Sequence, residues 1–118
     1  MSQVTAITLL SQTTAVTTGN KQPAACYYIS GNTLQTLTWK LTGLLGTVVV
    51  QATLADDPTD ESDWFAIYNI VCTSGNGNGG TLLEPKIGFI NINGNFAWVR
   101  AKVISYTSGT VNYLKVCY

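Results

Sequence analysis

The chain has 118 residues, 46% hydrophobic and only 10% charged, with six basic and six acidic side chains and no net charge. That length fits one domain, and the absence of histidine excludes Ser-His and Cys-His nucleophiles, an imidazole proton shuttle and imidazole metal ligands. The basic residues are scattered rather than gathered in a phosphate-neutralising stripe, and no apolar run is long enough to cross a bilayer, so neither a nucleic acid nor a membrane is an expected partner.

Taken in chain order, the dominant period is two, which is the signature of strands. Met1-Ser2-Gln3 does not open a basic-then-apolar leader, so the protein is expected to be made in a cytosol. Residues 4–10 form a first strand with Ile7 and Leu9 on one face. Thr13 to Gly19 is polar, and Ser2 to Gly19 reads as an N-terminal arm. Residues 23–30 make a second strand, with Tyr27 and Ile29 opposite Cys26 and Tyr28, ended by Ser30-Gly31-Asn32. Leu37, Trp39 and Leu41 then alternate with Thr36, Thr38, Lys40 and Thr42, a half-buried antiparallel pattern. Gly43-Leu44-Leu45-Gly46 is expected to be a hairpin turn into a strand that carries Val48, Val50, Ala52 and Leu54 on one face.

Residues 64–71 are apolar on both faces and predict a central, well-covered strand. Thr73 to Gly80 has no core-forming side chain and predicts a mobile surface loop. Residues 86–92 lead into Asn93-Gly94, the strongest local hairpin signal in the chain. Residues 96–105 and 110–118 are expected to form a last hairpin through Ser108-Gly109. About eight strands with short turns predict a single all-β domain over 1–118, an antiparallel β-sandwich of jelly-roll type.

Three groups of residues are candidates for function. Asp56, Asp57, Asp60, Glu61 and Asp63 crowd one loop, and Glu84 is the only other acidic side chain. Dense carboxylates can hold Ca²⁺, but Pro58 and the missing turn glycine depart from an EF-hand loop. A solvated turn and an electrostatic contact with a basic partner fit the same stretch. No other cofactor is indicated, and no base is placed to activate a hydroxyl, so an enzyme is not expected.

The second group is the row Phe96, Trp98, Arg100 and Lys102. It alternates with the core-type row Ala97, Val99, Ala101 and Val103, and its mix of aromatics and cations suits a protein interface. Trp39 and Trp64 are expected in the core, while Tyr27, Tyr28, Tyr106, Tyr113 and Tyr118 are available for similar surfaces. The third group is Cys26, Cys72 and Cys117, which match no zinc spacing and read as small buried apolar residues. A Cys26–Cys117 bridge would require those strands to be neighbours.

Leu9 to Asn20 (LLSQTTAVTTGN), Val50 to Ile67 (VQATLADDPTDESDWFAI) and Gly94 to Val116 (GNFAWVRAKVISYTSGTVNYLKV) together resemble small virion proteins of tailed phages. In those, a Thr-rich start leads to a strand ending in a short acidic or polar turn before Trp, and a final W-V-R-A strand then hairpins through a Ser/Thr-Gly turn. The resemblance runs in order along most of the chain. The acidic turn departs from it, being longer than the usual Asp-Gly type. The last strands are also similar to those of discoidin-like carbohydrate-binding jelly rolls. The resemblance implies a virion structural protein, present in many copies as a homo-oligomer against other capsid or tail proteins, as a capsid decoration or a tail, baseplate or fibre module. The low charge and unpaired Cys agree with that expectation. The alternative is a carbohydrate-binding module that meets a host-surface glycan during adsorption.

Overall fold

The computed structural model describes residues 6–24, 34–55, 58–72 and 86–118. The expected strand at 23–30 lies largely outside the described residues, as do the loop at 73–80, Cys26, Tyr27, Tyr28, Asp56, Asp57 and Glu84. The described chain is all-β: β1 (Ala6–Thr13), β2 (Thr17–Thr18), β3 (Gln22–Pro23), β4 (Leu34–Thr53), a single 3₁₀ turn at Glu61–Asp63, β5 (Phe65–Cys72), β6 (Lys86–Asn93) and β7 (Trp98–Cys117).

These seven strands form one antiparallel sheet that does not close on itself. Its spine is the pair β4–β7, each 20 residues long, matched from Thr36 opposite Cys117 to Thr53 opposite Trp98. On the far edge of β7, β1 covers residues 111–117, and β2 and β3 cover 98–103. On the far edge of β4, β6 covers 34–41 and β5 covers 46–52. Each spine strand therefore serves two successive arms of the sheet. Of the segment 2–19 read as an arm, residues 6–13 and 17–18 are strands paired with β7 of the same chain.

The spine is sharply bent. A straight strand of that length would reach ~66 Å, yet the longest dimension of the molecule is 41 Å. Residues 94–97 alone carry the chain from Asn93, opposite Leu34, to Trp98, opposite Thr53. Five residue steps span at most ~17 Å, so the two ends of β4 lie near each other and the arms face one another. Trp39 of the first arm stacks on Tyr68 of the second, with ring centroids 5.5 Å apart. Tyr118 Oη donates to the Pro23 carbonyl at 2.8 Å across the same gap.

The bend corrects two expected turns. Gly43-Leu44-Leu45-Gly46 and Ser108-Gly109 are not hairpin tips but interior positions of β4 and β7, lying opposite each other. Gly43 and Gly109 have φ of 59° and 92°, conformations that L side chains rarely adopt. The register shifts repeatedly between Lys40 and Val48, and bulges of this kind bend a strand and re-aim its side chains. The buried face accordingly moves from Leu37, Trp39 and Leu41 to Val48, Val50 and Ala52 in β4, and from Val99, Ala101 and Val103 to Leu114 and Val116 in β7. These residues, with Leu9, Leu10, Leu44, Ile70, Cys72 and Val111, form one shared core. A further bulge between Thr8 and Leu10 turns both Leu9 and Leu10 inward, where strict alternation from Ile7 would bury only Leu9.

Two other expectations change. Asn93-Gly94 does not close a hairpin, because β6 pairs with β4 rather than β7 and the connection crosses from one arm to the other. The strand at 65–72 is terminal in the sheet order, not central. Its core face carries Ile70 and Cys72, while Val71 on the other face remains 44% exposed.

Candidate functional site

The sequence-predicted interface row and the acidic stretch come together on the second arm. Alternation along β7 turns Trp98, Arg100 and Lys102 away from the core, and the β4 residues opposite them are Thr53, Gln51 and Val49. Thr53 and Val49 are nonetheless buried, and Arg100 on the same face is covered by Glu61 and Trp64 of the chain around the 3₁₀ turn. The resulting cleft, of about 380 Å³, is lined on one side by residues 18–21, on the other by residues 58–61, and includes Trp64 and Arg100.

Arg100 organises the cleft. It is only 9% exposed. Its Nε donates to Gln51 Oε1 at 2.8 Å, and its Nη2 donates to Glu61 Oε2 at 2.6 Å. The guanidinium also lies 4.3 Å over the Trp64 ring, the planar stacking at which arginine excels over lysine. Lys102 Nζ approaches the same Glu61 oxygen at 3.7 Å. The hydrogen bond from Arg100 holds the Glu61 carboxyl below its ordinary value of 4.5, with the charges of Arg100 and Lys102 acting in the same direction. Glu61 thus pins the acidic turn to the sheet.

The remaining described acids are used locally. Asp63 Oδ2 accepts from the backbone N–H groups of Thr59 and Asp60 at 3.0 and 3.1 Å, which shapes the turn. With Asp63 turned to the backbone and Glu61 turned to two cations, these carboxylates do not converge in the manner Ca²⁺ coordination needs. Among the described residues no group of three Cys, Asp or Glu side chains is placed to hold a metal ion.

The four residues of the expected interface row differ in setting. Arg100 is buried beneath the acidic turn, and Lys102 is half-buried beside it. Trp98 is half-buried, with Lys21 Nζ 4.6 Å above its ring. Phe96 packs against the core and lies 5.9 Å from Phe65, ring to ring. Trp64, expected in the core, is a half-buried wall of the cleft instead. Gln51 and Lys21 belong to this constellation without any local motif to mark them. Gln51 reaches Arg100 only through the β4–β7 register, 49 residues away in the chain.

A second surface lies on the outer side of the first arm, where nothing comparable to the acidic turn covers it among the described residues. Phe89, Thr38, Lys115 and Thr8 form one cross-strand rung, and Ile87, Lys40, Tyr113 and Ser11 form the next. Paired residues of antiparallel strands project to the same side, so all eight face outward, away from Leu37, Trp39, Leu114 and Ile90. Ile87 and Phe89 are 69% and 70% exposed. Lys115 Nζ lies 4.8 Å over the Tyr113 ring. No protein-family model matches the chain, and no curated protein is significantly similar to it.

Proposed function

We propose that this chain is a structural protein of a tailed-phage particle that works by protein–protein contact, as a capsid decoration or as a tail, baseplate or fibre component. The observation that carries the reading is the pair Ile87 and Phe89, exposed side by side on β6 within a face otherwise made of Thr, Ser, Lys and Tyr. Large apolar side chains grouped on an exposed sheet face are what an interface leaves visible when its partner is absent. The likeness of three stretches of the chain to phage virion proteins supports the same reading. The doubled sheet is read, on that likeness, as a sandwich of jelly-roll type. Mass spectrometry of purified virions from the source phage, scaled to the major capsid protein, tests it. Abundance near that of the capsid protein means decoration of the head, small multiples of tail symmetry mean a tail or fibre component, and absence from the particle refutes the proposal.

The cleft favours a second reading, a glycan-binding module used in adsorption. It offers an aromatic wall in Trp64 and hydrogen-bonding groups from Asn20, Lys21, Thr59 and Asp60, a combination suited to sugar rings and hydroxyls. The face of Trp64 that carries Arg100 is already occupied, so a sugar would have to use what remains of the ring. A host-glycan array, run with and without chelator, tests this reading, and no binding in either condition removes it.

A further inference from the structure

Arg100 has hydrogen-bonding capacity that its contacts with Gln51 and Glu61 do not use. A guanidinium carries its N–H donors on three nitrogens, and here Nε is taken by Gln51 and Nη2 by Glu61. Nη1 has no acceptor among the described residues. The residue is nonetheless only 9% exposed. No buried polar side-chain atom among the described residues lacks a partner, so Nη1 reaches solvent, and the opening that Arg100 lines is the cleft. Its position is held by Gln51, Glu61 and the Trp64 ring, so little further ordering is needed when an acceptor arrives. The charges around it are already matched. Arg100 and Lys102 share Glu61, Lys21 stands across the cleft from Asp60, and Asp63 is turned to the backbone. A recess with balanced charges offers an anion no return for the water it sheds on entry. The acceptor that fits Nη1 is therefore neutral. A carbonyl oxygen only accepts, as a donor-only guanidinium requires, whereas a hydroxyl must also place its own hydrogen.

We propose that the cleft selects a sugar ring bearing an acetamido group, whose carbonyl oxygen accepts from Arg100 Nη1. The acetamido methyl packs on the part of the Trp64 ring that Arg100 leaves open, and ring hydroxyls donate to exposed Asp60 at the lip. This selectivity rests on the glycan-binding reading of the cleft and adds the class of sugar to it. The cleft volume of about 380 Å³ lies at the small end of the ~300–1,000 Å³ usual for ligand sites, so it holds one substituted ring and leaves the neighbouring rings of a chain outside. A plain hexose lacks the carbonyl and leaves Nη1 to water. A uronic acid brings a second carboxylate beside Asp60 and Glu61. Discrimination of this kind is set by the buried donor that the wrong ligand fails to match.

Titration of the full chain with methyl glycosides, followed in N–H correlation spectra at the Trp64 indole and Arg100 Nε–H signals, tests this directly. The methyl glycosides of N-acetylglucosamine and N-acetylgalactosamine, at up to ~50 mM, are the probes. At least one should shift both signals and bind about tenfold more tightly than methyl glucoside. Methyl glucuronide should bind no better than the glucoside. Arg100→Lys keeps a cation at Glu61 but removes Nη1, and should erase the preference for the acetamido sugar while leaving the glucoside affinity in place. Thr59→Trp fills the cleft from an exposed position outside the Arg100 contacts, and should abolish the shifts whether or not Arg100→Lys folds. Equal binding of acetamido sugar and glucoside overturns the inference, as does tighter binding of the glucuronide. A preference that survives Arg100→Lys, shifts that persist in Thr59→Trp, or no shift with any glycoside overturn it as well. The host-glycan array separates the two levels: binding there without an acetamido preference refutes only the class of sugar, whereas no binding in either condition removes the glycan reading beneath it.

Discussion

Replacing Gly109 by Ala tests the bend of the spine. Gly109 sits at φ 92°, and a Cβ there would lie 2.3 Å from the Gly43 carbonyl oxygen, 2.4 Å from its carbon and 2.5 Å from Leu44 Cα. All three atoms are backbone of the paired strand, so no side chain can swing aside. To reach ordinary contact the strands must part by ~1 Å at the point where the sheet turns over. The backbone conformation alone costs an alanine about 1 kcal/mol, and the overpacking adds about 2 kcal/mol, for a total of about 3 kcal/mol. Against a stability of ~5–15 kcal/mol, and a urea dependence of about 1.5 kcal/mol per molar, the unfolding midpoint should fall by about 2 M. Tryptophan fluorescence in urea reads this, with exposed Ser108→Ala as a control expected within ~0.5 kcal/mol of the wild type. If Ser108-Gly109 were instead a solvent-exposed hairpin tip, the turn would relax and only the conformational strain would remain. A loss of ~1 kcal/mol or less for Gly109→Ala would therefore refute the bent spine.

Other expectations follow from single contacts. Leu114 is fully buried opposite Trp39, so Leu114→Ala should destabilise by about 3 kcal/mol in the same urea assay. Glu61 has a folded-state pKa below its unfolded value because Arg100 donates to it. Its contribution is present above the unfolded pKa and is lost as pH falls through the folded one, so Glu61→Gln should flatten the acid limb of stability below about pH 4.5 and leave the neutral-to-alkaline profile unchanged in shape. Burial raises the Cys72 pKa, and its side chain is covered, whereas Cys117 is half-buried. Peptide mapping after iodoacetamide treatment of the folded protein should find Cys117 modified at least about tenfold faster than Cys72, with the difference vanishing in denaturant. Ile87→Ser and Phe89→Ser remove exposed side chains and should each leave thermal stability almost unchanged, within about 0.5 kcal/mol of the wild type in a thermal melt.

Strand existence and facing were legible in the chain wherever one face is buried and the other is wet. The alternation from Leu37 to Thr42 and from Ala97 to Val103 gives the inward residues correctly, because a period of two leaves one choice of face. Burial on both faces defeats that logic. Val49 and Thr53 belong to the outward set of β4 yet are buried. The strand at 65–72 looks central by composition but pairs with β4 alone among the described strands and is terminal in the sheet, with Val71 on its outward face exposed. The candidate site was legible by parts: Arg100 from its row and Glu61 from its cluster. Their pairing with Gln51 and Trp64 depends on β4–β7 register, which no local pattern encodes.

The bend shows why tight turns and folded spines look alike in a sequence. Gly43 and Gly109 each carry a positive φ in a short polar-to-apolar break, which is also what a hairpin tip requires. Local chemistry cannot separate the two outcomes. What separates them is reciprocity. A hairpin tip pairs its own flanks, whereas a spine bend needs a second break at the matching position of the partner strand, since one strand cannot turn a corner while its hydrogen-bonded neighbour runs straight. Here the break in β4 meets the break in β7, with Thr42 opposite Thr110 and Leu45 opposite Ser108. The arms on either side are of similar length, so the residues from Leu34 to Thr42 find their partners in 110–117 and those from Gly46 to Thr53 find theirs in 98–106. Such a doubled sheet keeps both of its lateral edges and two distinct outer faces. In this chain one face is roofed by the acidic turn and latched by Arg100 and Glu61, and the other is left bearing Ile87, Phe89 and two lysines. That asymmetry follows from where the acidic loop falls, between β4 and β5 at the end of the second arm only.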